Sequence, residues 1–135
     1  MDIEALNYVE MSETGFEFEF LDVSNGNGTG LFITVIGEHA EQVQEWKRKT
    51  INSMRNRDFL LLKKGKDEYR KYEEDVSSSL DSAVARIIGF RGISENGKPA
   101  EFSKETARRL CSINPEILNQ VLETSNMMSN FTLSK

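Results

Sequence analysis

Phe16-Glu17-Phe18-Glu19-Phe20 can be accommodated in very few ways. Successive side chains of an extended chain point to opposite faces, so strict alternation puts the rings on one side and the carboxylates on the other. A strand lying on a core, with its other face in water, satisfies both sets. Leu31 to Ile36, almost wholly apolar, is a second strand candidate. Between them, Ser24-Asn25-Gly26-Asn27-Gly28-Thr29-Gly30 collects residues that tolerate positive φ. That composition predicts a hairpin with a mobile, oversized loop.

Beyond the hairpin the period changes. Ala40, Val43, Trp46, Ile51 and Met54 recur at helical spacing, which predicts an amphipathic helix over 38–57 with Lys47, Arg48, Lys49, Arg55 and Arg57 on its outer face. Leu60-Leu61-Leu62 followed by Lys63-Lys64-Gly65-Lys66 reads as a helix end or a turn. Tyr69, Tyr72 and Val76 suggest a short helix running on into the next segment. There Leu80, Ala83, Val84, Ile87 and Ile88 form a core-facing helical stripe that Gly89 ends. Phe90 to Ile93 suits a short strand, and Ser94-Glu95-Asn96-Gly97 a turn. Ser103 is placed to cap a helix from Lys104, and Asn114-Pro115-Glu116 announces another. Ile113 and Leu118 are spaced for a hydrophobic staple across that second start.

The fold expected is α+β: an antiparallel hairpin-based sheet packed with about four helices. At 135 residues, 38% hydrophobic and 29% charged, the chain suits one globular domain that needs no staple. Within it, 1–37 reads as the hairpin region, 38–125 as a helical region with a short strand, and 126–135 as an apolar tail. The start Met1-Asp2-Ile3-Glu4 has neither the basic nor the apolar stretch of a signal peptide, and no run is long enough to span a membrane. A lone Cys111 suits a reducing compartment, so a cytoplasmic location is expected. Charge is unevenly spread: residues 1–46 hold ten acids and no Lys or Arg, whereas 47–71 hold ten bases and three acids. The two blocks either complement each other within the fold or mark two binding faces.

Chemistry-bearing constellations are missing from the sequence. His39 is the only histidine, with no Cys, Ser or Asp spaced to form a dyad with it. One His and one Cys cannot supply a structural zinc site, and no acidic loop has calcium-binding spacing. Glu17 and Glu19 alternate with the Phe face, as a solvated sheet surface does. Gly26 to Gly30 lacks the ending and the following helix of a phosphate loop. No catalytic, cofactor-binding or metal-ligating residue is assigned, and the chain is not expected to be an enzyme. The basic segment 47–71, with Tyr69 and Tyr72 nearby, is the feature that would serve a nucleic-acid-binding accessory protein. The sequence pI near 5.0 and the lack of a recognition motif argue against it.

In the second half, Ala85-Arg86-Ile87-Ile88-Gly89-Phe90-Arg91-Gly92 and Gly97-Lys98-Pro99-Ala100-Glu101-Phe102-Ser103 resemble the tail assembly chaperones of long-tailed bacteriophages. The likeness continues through Thr106-Ala107-Arg108-Arg109-Leu110, Pro115, Ile117 to Val121 and Asn130-Phe131, so residues 80–133 carry nearly all of it. A tryptophan is commoner in that family where Phe90 stands. The resemblance implies a protein that binds the tape-measure protein in the host cytoplasm and keeps it soluble while the tail tube polymerises. It also implies absence from the mature virion and, often, a longer frameshifted product that recruits the tail-tube protein. A structural head–tail joining or tail-completion protein is the alternative phage role.

Met127, Met128, Phe131 and Leu133 in the tail are the residues expected to contact a partner, since flexible, polarizable side chains suit a surface that accepts non-identical helices. Their alternative use is to close the domain's own core.

Overall fold

A computed structural model of the chain describes residues 2–63 and 72–131. It has an α+β fold. Strands β1 (Phe16–Leu21), β2 (Gly28–Val35) and β3 (Ile87–Arg91) make an antiparallel sheet in the order β1-β2-β3. A separate ribbon pairs β4 (Ser94–Glu95) with β5 (Lys98–Pro99). The helices are α1 (Tyr8–Ser12), α2 (Glu41–Lys63), α3 (Tyr72–Arg86), α4 (Lys104–Ile113) and α5 (Pro115–Asn126), with 3-10 turns at Ile3–Leu6 and Met128–Phe131.

The alternation in β1 does what its chemistry requires. Phe20 is buried, and Phe16 and Phe18 are half-buried against a core that also holds Leu31, Ile33, Val35 and Ile87. α5 packs on this inner face, while α3 packs on α2, α4 and α5. On the outer face Arg91 reaches across β2 to both carboxylate oxygens of Glu17, at 2.8 and 3.0 Å, with its guanidinium 4.1 Å from the centre of the Phe32 ring.

The hairpin loop is tighter than its composition predicts. Leu21 faces Gly28 across the ladder, so only residues 22–27 form the loop and Gly28-Thr29-Gly30 belong to β2. The Asp22 carbonyl accepts the N–H groups of Asn25 and Gly26, and its carboxylate accepts the N–H and hydroxyl of Ser24. Glu19 accepts the Gly30 N–H at 2.9 Å, and the Thr29 hydroxyl donates to the Phe20 carbonyl at 2.7 Å. These bonds extend the pairing past a bulge between Glu19 and Leu21.

Two helices also differ from their predicted bounds. α2 starts at Glu41 and runs to Lys63, beyond the 57 expected from its stripe. The stripe of α3 stops at Arg86, and Ile87 and Ile88 belong to β3. Spacing alone cannot separate two adjacent apolar residues at a helix end from the start of a strand. Tertiary bonds decide: the Ile36 N–H donates to the Arg86 carbonyl, and the Lys104 ammonium donates to the carbonyls of Val84 and Ile87. Ile87 then points inward at 2% exposure and Ile88 outward at 39%. Tyr69 lies outside the described residues.

The turn of the small ribbon is Asn96-Gly97, both at positive φ (54° and 78°), as a two-residue hairpin demands. Gly92 (φ 85°) lies so close to β2 that a Cβ there would sit 1.9 Å from the Gly30 carbonyl oxygen. Ser103 caps α4 by accepting the Thr106 N–H, and Asn114 caps α5 by accepting that of Glu116, with Pro115 in the first turn. Ile113 is 70% exposed while Leu118 packs against the core, so the expected staple does not close.

The depth of Phe20 ranks it above its neighbours. Phe20→Ala should destabilise the domain by about 3–5 kcal/mol in urea unfolding, whereas Glu45→Ala on the exposed face of α2 should stay within about 0.5 kcal/mol. Equal losses from the two changes would mean that β1 does not present its rings to the core.

Candidate partner-binding surface

The tail residues singled out by sequence part company in the fold. Phe131 is fully buried, its ring edge-on to Phe16 at a centroid distance of 6.2 Å. It also lies against Gly37, where a Cβ would sit 3.1 Å from Phe131 Cδ2 and 2.6 Å from Ser12 Oγ. Met128 is half-buried, and its sulfur accepts the Ser12 hydroxyl at 3.9 Å. Met127 is 49% exposed. Leu133 lies outside the described residues. Asn130 pins the turn by donating to the Thr124 carbonyl at 3.0 Å. Phe131 therefore closes the domain's own core, and Met127 is left open to a partner.

A neighbouring set has only a weak sequence signal. α1 packs against the Met128–Phe131 turn, which brings the first segment of the chain to the same face. Ile3, Leu6 and Val9 there are 80%, 55% and 43% exposed. Their three-residue spacing was visible, but a run of ten residues is too short for periodicity to stand out from chance.

A concavity lies between the β4–β5 ribbon and α4. It encloses about 130 Å³, is lined by Ile93, Ala100, Leu110 and Ile113, and carries the Arg109–Glu95 ion pair. Ligand pockets run to roughly 300–1,000 Å³, so this cleft has room for a side chain rather than a cofactor.

The titratable groups with shifted pKa values sit in buried or hydrogen-bonded settings. Burial pushes the Cys111 thiol up from an ordinary 9.0 to about 11, the opposite of what a nucleophile needs. His39 lies beside the Tyr8 ring, 5.7 Å between centroids. The hydrogen bond from Arg91 holds Glu17 below the usual carboxylate range, and that from Lys47, 3.0 Å away, does the same for Glu38. Burial lowers Lys104, whose ammonium faces carbonyls at the end of α3. Among the described residues no three His, Cys, Asp or Glu side chains gather as a metal site would need, and no helix is long and apolar enough to cross a membrane. In the basic segment, Lys47 and Lys49 are engaged by Glu38 and Glu45; residues 64–71 lie outside the described residues.

Compared with protein-family models, curated proteins and solved structures, the chain matches none.

Phe131→Ala should cost about 3–5 kcal/mol in urea unfolding, and Met127→Ser about 0.5 kcal/mol or less, if the first closes the core and the second faces water. The Cys111 thiol gives a pH test. Its proton is held more tightly folded than unfolded, so its contribution to stability is intact below the unfolded pKa and lost as pH rises toward the folded one. The gap in melting temperature between the parent and Cys111→Ala should narrow from about pH 9.0 to about 11. A gap that stays constant across that window would show the thiol to be open to solvent.

Proposed function

We propose that this chain is a tail assembly chaperone of a long-tailed bacteriophage, binding the tape-measure protein non-covalently and keeping it soluble until the tail tube forms around it. The observation that supports this best is the placement of the residues that carry the resemblance. Gly92 makes the close approach to β2, Ser103 and Pro115 start the two helices, and Asn130 and Phe131 lock the last turn into the core. These five positions thus have a backbone or packing duty. A likeness in such positions speaks for a shared scaffold and not for a shared catalytic site. The exposed apolar side chains of the first segment and Met127 are compatible with a protein that works by contact.

On this reading the protein acts in the host cytoplasm and is absent from the finished virion; in the family it resembles, a frameshift-extended form often engages the tail-tube protein. Co-expression with the tape-measure protein of the same phage should hold that partner in the soluble fraction and yield a complex that co-purifies. A tape-measure protein that stays insoluble and uncomplexed would sink the proposal. Recovery of the chain from purified virions would favour a head–tail joining or tail-completion role instead.

A further inference from the structure

The surface made by the first segment and Met127 combines two properties. The first is an exposed apolar set. Residues three apart eclipse in a 3-10 turn, so Ile3 and Leu6 share one face of it, and Val9 follows in α1 after the break at Asn7. Met11 and Ser12 point the other way, toward Met128, and fix the segment to the body of the fold. Met127, 49% exposed, lies next to the turn that α1 contacts.

The second property is charge. Asp2, Glu4, Glu10 and Glu13 are exposed around this set and form no ion pair with any described residue. Glu10 accepts only from Asn7, and Glu13 from the Glu41 N–H at 3.4 Å. Five other carboxylates are matched, Glu17 with Arg91, Glu38 with Lys47, Glu45 with Lys49, Asp81 with Arg108 and Glu95 with Arg109, whereas none of the four around the apolar set is. No Lys or Arg occurs before residue 47, so nothing in this stretch of chain offsets the negative charge.

The backbone here is already committed. Ala5 donates to Asp2, Asn7 to Glu4, and Met11 to Asn7, which leaves no strand edge for a partner to extend. Recognition must run through side chains, the mode in which a helix lays its apolar stripe against a partner's apolar surface. We infer that this face docks a cationic amphipathic helix of another protein, one whose Leu, Ile or Val stripe is bordered by Lys or Arg. The carboxylates would meet the basic border while the apolar set covers the stripe. The inference stands on exposure and charge, independently of the chaperone reading. If that reading holds, it names the kind of tape-measure segment that binds.

The test uses the whole chain, isotope-labelled, and a synthetic helix of about 18 residues built from Leu and Lys, with a Leu/Glu helix of the same pattern as control. The Leu/Lys helix should shift the amide signals of residues 3–12 and of Met127 and Met128, and the Leu/Glu helix should not. Raising salt from about 0.05 M to about 0.5 M should weaken binding without abolishing it, since the apolar part is not screened. Serine at Ile3, Leu6 and Val9 together should reduce affinity by about tenfold or more, with an unchanged melting temperature because all are exposed. Glu4→Lys with Glu10→Lys should reduce it as well and remove much of the salt dependence. Equal binding of both helices, no binding, or shifts centred on the Ile93–Ile113 cleft or the Glu17 face of the sheet would overturn the inference. Failure of tape-measure co-purification beside a positive result here would remove the chaperone reading alone.

Discussion

A guanidinium buried to 4% exposure is the constraint around which this fold is arranged. Burying a charge costs several kcal/mol unless its hydrogen bonds are satisfied, so the surroundings of Arg86 must be held in place. Its Nε donates to the Ser125 hydroxyl and its Nη1 to that of Ser82, each at 3.2 Å. Ser125 passes its own proton toward the Ile36 carbonyl at 2.7 Å, while the Ile36 N–H returns to the Arg86 carbonyl at 2.8 Å. The Glu38 N–H closes the knot on the Ser125 carbonyl at 3.1 Å. The end of α3, the end of α5 and the exit from β2 are thereby tied at one point. Burial lowers the Arg86 pKa, and the nearby Glu38 carboxylate partly offsets that.

This knot explains why the last turn of the chain belongs to the core. With Ser125 fixed, Met127 donates to Thr124 and the chain turns back, which carries Phe131 under Phe16 and against Gly37. The side chain best suited to anchor in a partner is consumed by the domain itself. At its rim Met127 and the first segment, which α1 attaches to the same turn, stay exposed.

Charge follows the same logic. Among the described residues, the acidic and basic blocks adjacent in sequence complement each other locally, through Glu38 with Lys47 and Glu45 with Lys49. Exposed pairs of this kind contribute little to stability. The first four carboxylates form no ion pair with any described residue and stay exposed to whatever approaches from outside.

The sequence by itself determined the elements whose signal is local. The β1 alternation, the Ser103 and Asn114 caps, Pro115, and the Asn96-Gly97 turn each act through neighbours a few residues away, and each recurs in the structure as its chemistry dictates. The end of α3, the length of β2, the core position of Phe131 and the burial of Arg86 depend on partners far along the chain, such as Lys104 for Ile87 and Ser125 for Arg86. The same division runs through the candidate surface. Sequence supplied an apolar tail and an acidic start; only the packing of α1 on the final turn joined them into one face. No local pattern encodes that meeting, because it is made by contacts between segments more than a hundred residues apart, such as Ser12 with Met128.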